Sequence, residues 1–175
     1  MKLALCGHRI EELPYSVDSE SYATLELMLW KSASKYVDCG YDTFVCCASQ
    51  GTAVVLGEII AAIKESERLK LSLICVIPYR EQARQWDDAW RLRYRYLLHD
   101  ADRIIQVCDG YKSGCYQKQS RCAVDQSDAL LAVYDEANKG RVAYAVEYAR
   151  KHNKPVEIVN PLDAVVEEQK RTTYY

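Results

Sequence analysis

The 175-residue chain has no excess of charge of either sign, with 23 lysines and arginines against 25 aspartates and glutamates. That balance gives no global pull toward nucleic acid or a membrane surface, so any partner has to be recognised locally. Long hydrophobic runs are also missing. The most apolar long stretch, Ala53 to Ile63, is interrupted by Gly57 and Glu58 and falls well short of the roughly 20 residues that span a bilayer. The N-terminal apolar run is too short for a secretion signal and meets Gly7-His8-Arg9 at once, so a cytoplasmic protein is expected. None of the eight cysteines forms a C-x-x-C pair, and the three histidines are scattered at 8, 99 and 152, which argues against a zinc site. Cys6, Cys46, Cys47 and Cys75 sit inside apolar runs, where a reduced thiol behaves as a small buried hydrophobe. Neither the Gly-x-Gly-x-x-Gly fingerprint nor a P-loop lysine is found, so neither an ordinary dinucleotide site nor an NTPase is supported. No metal or cofactor is called for. Repeats, low-complexity tracts and linkers are absent, so one domain over residues 1–166 is expected, with 167–175 as a frayed tail.

What is present is a regular alternation. Six short aliphatic runs read as buried strands: Leu3 to Cys6, Thr43 to Cys47, Leu71 to Ile77, Arg103 to Val107, Ala129 to Tyr134 and Val156 to Val159. Between them lie segments of helical period. Tyr22, Leu25, Met28, Leu29, Ala33, Tyr36 and Val37 form one stripe, with Asp18 or Ser19 to cap its start and Gly40 suited to its end. A second helix begins at Gly51 and is apolar on nearly every side apart from Glu58; a third runs from about Glu81 to His99; a fourth starts near Gly140. Segment 109–127 reads as a loop and a short helix. Strands alternating with helices of this length imply an open, mainly parallel α/β sheet covered on both faces.

In such a sheet, ligands bind outside the carboxyl ends of the strands, where helix N-termini offer free N–H groups to anions. Four of these ends combine turn residues with polar side chains: Gly7-His8-Arg9, Ala48-Ser49-Gln50-Gly51-Thr52, Pro78-Tyr79-Arg80, and Tyr134-Asp135-Glu136 leading to Lys139-Gly140-Arg141. Glu58 is costly to bury without a partner. It is open to three roles, as a general base, a ribose ligand, or an acid paired with Arg9 or Arg121. The run Trp90-Arg91-Leu92-Arg93-Tyr94-Arg95-Tyr96 interleaves arginines with aromatics as a nucleic-acid site does. Its aromatic stripe and the neighbouring Asp87, Asp88, Asp100 and Asp102 disfavour that partner.

The order and spacing of these motifs resemble the YpsA-type branch of the SLOG superfamily. The similarity runs from Cys6-Gly7-His8-Arg9 through Phe44 to Gly51, Glu58, Ile77-Pro78-Tyr79, Gln82, Trp86 and Arg121. It continues through Ser127-Asp128, Ala132 to Asp135, Gly140 and Ala145 to Ala149, covering residues 1 to about 160. The resemblance implies a Rossmann-like fold whose strand-end crevice binds a nucleotide or nucleotide-derived ligand, as a sensor of ADP-ribose-like signals or, in LOG relatives, as a nucleotide N-glycosidase. The chain departs from that branch at three places. Cys47-Ala48-Ser49-Gln50-Gly51-Thr52-Ala53 stands where Gly-x-Ala-x-Gly-x-Asp is usual, Cys122 follows Arg121 in place of asparagine, and Lys139-Gly140-Arg141 replaces Gly-Gly-Thr.

Binding of a nucleotide-derived small molecule is therefore expected at Gly7, His8, Arg9, Ser49, Gln50, Gly51, Thr52, Tyr79, Gln82, Trp86, Arg121, Asp135, Lys139 and Gly140. In this reading the N–H groups of Gln50 to Thr52 and the Arg9 side chain hold phosphate, and Tyr79 or Trp86 stacks on a base. Lys139 and Arg141 meet a further anion, and Glu58 orients ribose or His8. The alternative is an enzyme that hydrolyses an N-glycosidic bond with Glu58 as its catalytic residue; a DNA-associated protein is a third reading. A homo-oligomer is left open.

Overall fold

The computed structural model describes residues 1–172. Its six strands are β1 (Lys2–Gly7), β2 (Thr43–Cys47), β3 (Ser72–Ile77), β4 (Arg103–Gln106), β5 (Ala129–Val133) and β6 (Val156–Val159). They form one sheet in the order β4-β3-β2-β1-β5-β6, every pairing parallel. Six α-helices connect and cover them: α1 (Glu20–Asp38), α2 (Thr52–Ser66), α3 (Asp88–Asp100), α4 (Cys115–Asp125), α5 (Arg141–Lys151) and α6 (Pro161–Thr172). The architecture is the Rossmann-like α/β arrangement expected.

Side-chain alternation along the strands divides the interior into two layers. Leu3, Leu5, Phe44, Cys46, Leu73, Cys75 and Leu131 face α1, α2 and α3, whereas Ala4, Cys6, Val45, Cys47, Ile74, Val76 and Ala132 face α4 and α5. With both faces covered, the central strands are apolar at successive positions, which explains why they read as continuous runs. Among the described residues, no helix is long and apolar enough to cross a membrane.

Two expectations need correction. The third helix begins at Asp88, not near Glu81. Residues 79–86 instead make successive i to i+3 turns, with N–H groups of Gln82, Arg84 and Trp86 donating to Tyr79, Glu81 and Ala83. Such turns mimic helical spacing. The helix proper starts where the Asp87 carboxylate accepts the N–H of Trp90 at 2.9 Å. At the other end, α6 continues through Thr172, so 167–172, read as a tail, are helical, and 173–175 lie outside the described residues. Ser21 on α1 donates a hydrogen bond to Glu168 on α6.

The chain lays down β1 to β4 in one direction and then returns past β1 to place β5 and β6 on its other side. The order reverses between β1 and β5, where adjacent loops diverge and leave a crevice. Gly7 pairs with Val133 across this point, and His8 N–H donates to Val133 C=O at 3.1 Å. On the other flank, α2 enters directly against the end of β1: Thr52 gives both its N–H and its Oγ1 hydroxyl to His8 C=O, each at 2.9 Å. Two glycines permit this approach. A Cβ on Gly7 would stand 2.1 Å from Thr52 Oγ1, and one on Gly51 would stand 2.5 Å from His8 O and 2.6 Å from Arg9 Cα. Gly51 also has φ +112°, a conformation unfavourable to any side chain.

Gly51→Ala should therefore destabilise the fold by about 2–3 kcal/mol, since it combines backbone strain with a clash against main chain. Gly110→Ala, where a Cβ meets nothing within 4 Å, should stay within about 0.5 kcal/mol of the parent. Urea unfolding of the two variants checks the contrast.

Candidate functional site

At the β1/β5 switch point the loops enclose a cleft of about 250 Å³. Its floor is formed by Cys6, Gly7 and Cys47 at strand ends, one wall by Ser49 and Ala53, and the opposite wall by Gln119 and Ser120 of α4. Asn138, Lys139, Gly140 and Arg141 close the rim above α5, with Arg9 and Glu12 across from them. Burial pushes the Cys6 thiol up to about 12, so at neutral pH the floor presents neutral sulfur and no thiolate nucleophile.

His8 is almost wholly enclosed, only 2% exposed. Its Nε2 lies 3.1 Å from both the backbone N and the carboxylate Oδ1 of Asp135. Its Nδ1 is buried without a hydrogen-bond partner, with Glu12 Oε2 at 3.5 Å. Glu12 is itself fixed, because the same Oε2 accepts the N–H of Arg9 at 2.7 Å. The imidazole is thus anchored on one side by Asp135, in the loop after β5, and faces one carboxylate oxygen on the other.

Asp135 organises the second half of the site. Oδ1 accepts the N–H groups of Ala137 and Asn138 at 3.1 and 3.0 Å, an Asx-type turn that carries the chain up to Lys139-Gly140-Arg141. Burial alone would raise the carboxyl's pKa, but the hydrogen bonds from Asn138, Ala137 and His8 outweigh it and hold the group below its ordinary value of 3.8. Three cations reach this cleft, from Arg9, Lys139 and Arg141. Among the described residues none of the three is ion-paired to a carboxylate. The Arg141 guanidinium instead lies 3.7 Å from the ring centre of Tyr116.

The structure brings together Gly7, His8, Arg9, Ser49, Lys139 and Gly140 around the cleft, with Asp135 directly behind His8. It separates others. Thr52 is fully buried and its N–H is taken by His8 C=O, so the α2 start cannot offer an anion all the N–H groups assigned to it. Gln82 is a buried brace, its Nε2 donating to Ala48 C=O at 2.7 Å and to Tyr94 Oη at 2.9 Å. Trp86 packs edge-on against Tyr94 at 5.1 Å between ring centres. Arg121, on α4, is exposed and does not line the cleft. Glu58 pairs with neither Arg9 nor Arg121; it accepts two hydrogen bonds from Arg93, with Nε at 2.9 Å from Oε1. That pair lies beside an apolar groove between α1 and α2, away from the cleft. Arg93 also covers Trp90, 4.4 Å from its ring centre, and Arg91 pairs with Asp88, so the arginine-aromatic run is largely engaged in its own structure.

Glu12, Gln119, Ser120 and Asn138 line the cleft without having been expected there. Gln119 and Ser120 left a trace in the sequence: they continue the inward face set by Cys115, Ala123 and Val124, a polar patch inside an otherwise apolar stripe. Ser49 Oγ donates to Gln119 Oε1 at 3.1 Å, and Gln119 Nε2 donates to Val76 C=O at 2.7 Å. The two walls are therefore tied to each other and to β3.

Comparison with known proteins bears on the family and the fold. The family model described as YspA SLOG family matches residues 3–163. UPF0398 proteins of Bacillus cereus strain G9842 and Bacillus anthracis strain A0248 are each 27% identical over 152 residues, covering 85% of this chain and 82% of the relative. Among solved structures, DNA processing protein A from Helicobacter pylori, described for its single-stranded DNA binding mode, superposes with a TM-score of 0.58. It is 13% identical, with 97% of this chain and 73% of that one covered, a likeness of fold.

Because the folded Asp135 carboxyl is held below its ordinary value, the stability it confers is complete above the titration range of the unfolded carboxyl, about pH 5, and is lost as pH falls through and below that range. Asp135→Asn should be less stable at pH 7 by about 1 kcal/mol, the worth of weakened hydrogen bonds. It should also lose less stability than the parent between pH 5 and pH 3. Unfolding curves across that range check it; parallel acid profiles for the two proteins would contradict the assignment.

Proposed function

Because the chain belongs to the YpsA-type SLOG family, whose model spans it almost throughout, we propose that the cleft binds a nucleotide or nucleotide-derived small molecule by its phosphate. The observation that carries this is the convergence of Arg9, Lys139 and Arg141 on one cleft with no carboxylate paired to them among the described residues. Guanidinium and ammonium groups recognise phosphate oxygens through charge-assisted hydrogen bonds. The unpartnered Nδ1 of buried His8 adds a polar group inside the same space. A volume of about 250 Å³ lies just under the roughly 300–1,000 Å³ usual for whole-ligand pockets. It suits a phosphate and its sugar, with the rest of the ligand projecting outward.

Binding is favoured over turnover. Ala53 lines the cleft where the family usually carries an acid, Glu58 is held by Arg93 outside it, and Asp135 is committed to His8 and its own turn. A sensor or binding module fits this better than a glycosidase. The fold shared with a single-stranded DNA-binding protein supports a second reading, in which the same cations grip one backbone phosphate of a single strand.

A thermal-shift panel of ADP-ribose, nucleoside monophosphates, cyclic nucleotides and a ten-residue thymidine oligomer tests both. A ligand at a hundredfold excess over its Kd adds about 2.7 kcal/mol, which is about 5–10 °C in Tm for a chain of this size. Arg9→Ala should remove the shift. A response to the oligomer alone selects the second reading, and no response across the panel contradicts both.

A further inference from the structure

We propose that Tyr79, Tyr111 and Tyr116 form a stacking platform for a nucleobase, joined to the cleft through Arg141. The proposal rests on the phosphate reading of the cleft and adds where the base goes. Tyr79 follows β3, Tyr111 lies in the loop after β4, and Tyr116 is in the first turn of α4. Topology thus delivers three aromatic rings to the carboxyl edge of the sheet from separate segments. The Tyr79 ring meets Tyr111 edge-on at 5.8 Å and Tyr116 edge-on at 6.3 Å between centres.

None of the three rings belongs to either hydrophobic core, and Tyr111 is 72% exposed. Core packing therefore does not account for the cluster. The exposed Tyr111 ring offers the surface for a base, and its edge-on contact with the half-buried Tyr79 braces it. Arg141 supplies the link, since it lines the cleft and at the same time lies over Tyr116 at 3.7 Å. One guanidinium can then meet a phosphate with its N–H edge while its plane rests on the aromatic cluster. The chemistry selected is a nucleobase tethered to a phosphate ester, from a free nucleotide derivative or from a single strand.

The test is calorimetric titration with ADP-ribose, the ten-residue thymidine oligomer and ribose 5-phosphate, the last carrying phosphate and sugar but no base. At least one base-bearing probe should bind about tenfold tighter than ribose 5-phosphate, in line with about 1–3 kcal/mol for one stacked base. Which one does so identifies the source. Tyr111→Ala, a change at an exposed site, should erase that tenfold advantage and leave ribose 5-phosphate unchanged, and Tyr111→Trp should retain it. An advantage that survives Tyr111→Ala, or an equal loss for ribose 5-phosphate, overturns the platform. If ribose 5-phosphate binds and a base adds nothing, the platform fails while the phosphate site stands; if no probe binds, both fail.

Discussion

The site depends on one contact, the docking of the α2 N-terminus against the end of β1. Thr52 spends its N–H and hydroxyl on a single carbonyl, that of His8, and Gly7 and Gly51 leave no room for a side chain between the two segments. That contact fixes the course of the main chain at the switch point. It turns the His8 ring inward to meet Asp135 in the loop after β5 and leaves Arg9 at the rim. A helix start that elsewhere would present its N–H groups to a ligand is here partly used to brace the fold. On the proposed reading, the work of meeting an anion passes to side chains.

Those side chains come from both sides of the crevice. Arg9 is positioned by the short turn in which Glu12 accepts its N–H, and Lys139 and Arg141 by the Asp135 turn. Two carboxylates thus serve as scaffolding for three cations, without neutralising any of them by direct pairing. In a protein of formal net charge −2, three cations at one cleft make a local positive field that the overall charge does not suggest. The chain lacks the family's usual acid at Ala53 and carries basic residues around Gly140. The two departures act in the same direction, toward a more positive cleft.

The fold was legible in the sequence because parallel strands buried on both faces are nearly uninterrupted apolar runs, and all six were located to within a residue or two at each end. The α3 start was misread because 79–86 forms chained turns whose spacing imitates a helix; only the Asp87 cap marks the boundary. Of the cleft's lining, the strand-end residues Gly7, His8, Arg9, Ser49, Lys139 and Gly140 were visible, since turn chemistry at a carboxyl edge is a local signal. Glu58 was misplaced because its cost of burial is plain in sequence while its partner is not. Arg93 is 35 residues away, and nothing local distinguishes it from Arg9 or Arg121. Gln119 and Ser120 left only a polar patch on the inward face of α4 as a trace, because their place is set by how α4 crosses the sheet edge.

The most direct measurement is amide and imidazole NMR of the isotope-labelled protein during titration with ADP-ribose. A phosphate site at the switch point predicts shifts concentrated at Gly7 to Arg9, at Ser49, and at Asn138 to Val142, with the His8 imidazole moving in step and Glu58 and Arg93 undisturbed. Shifts gathered instead along the α1–α2 groove beside Glu58, with Gly7 to Arg9 silent, would contradict it.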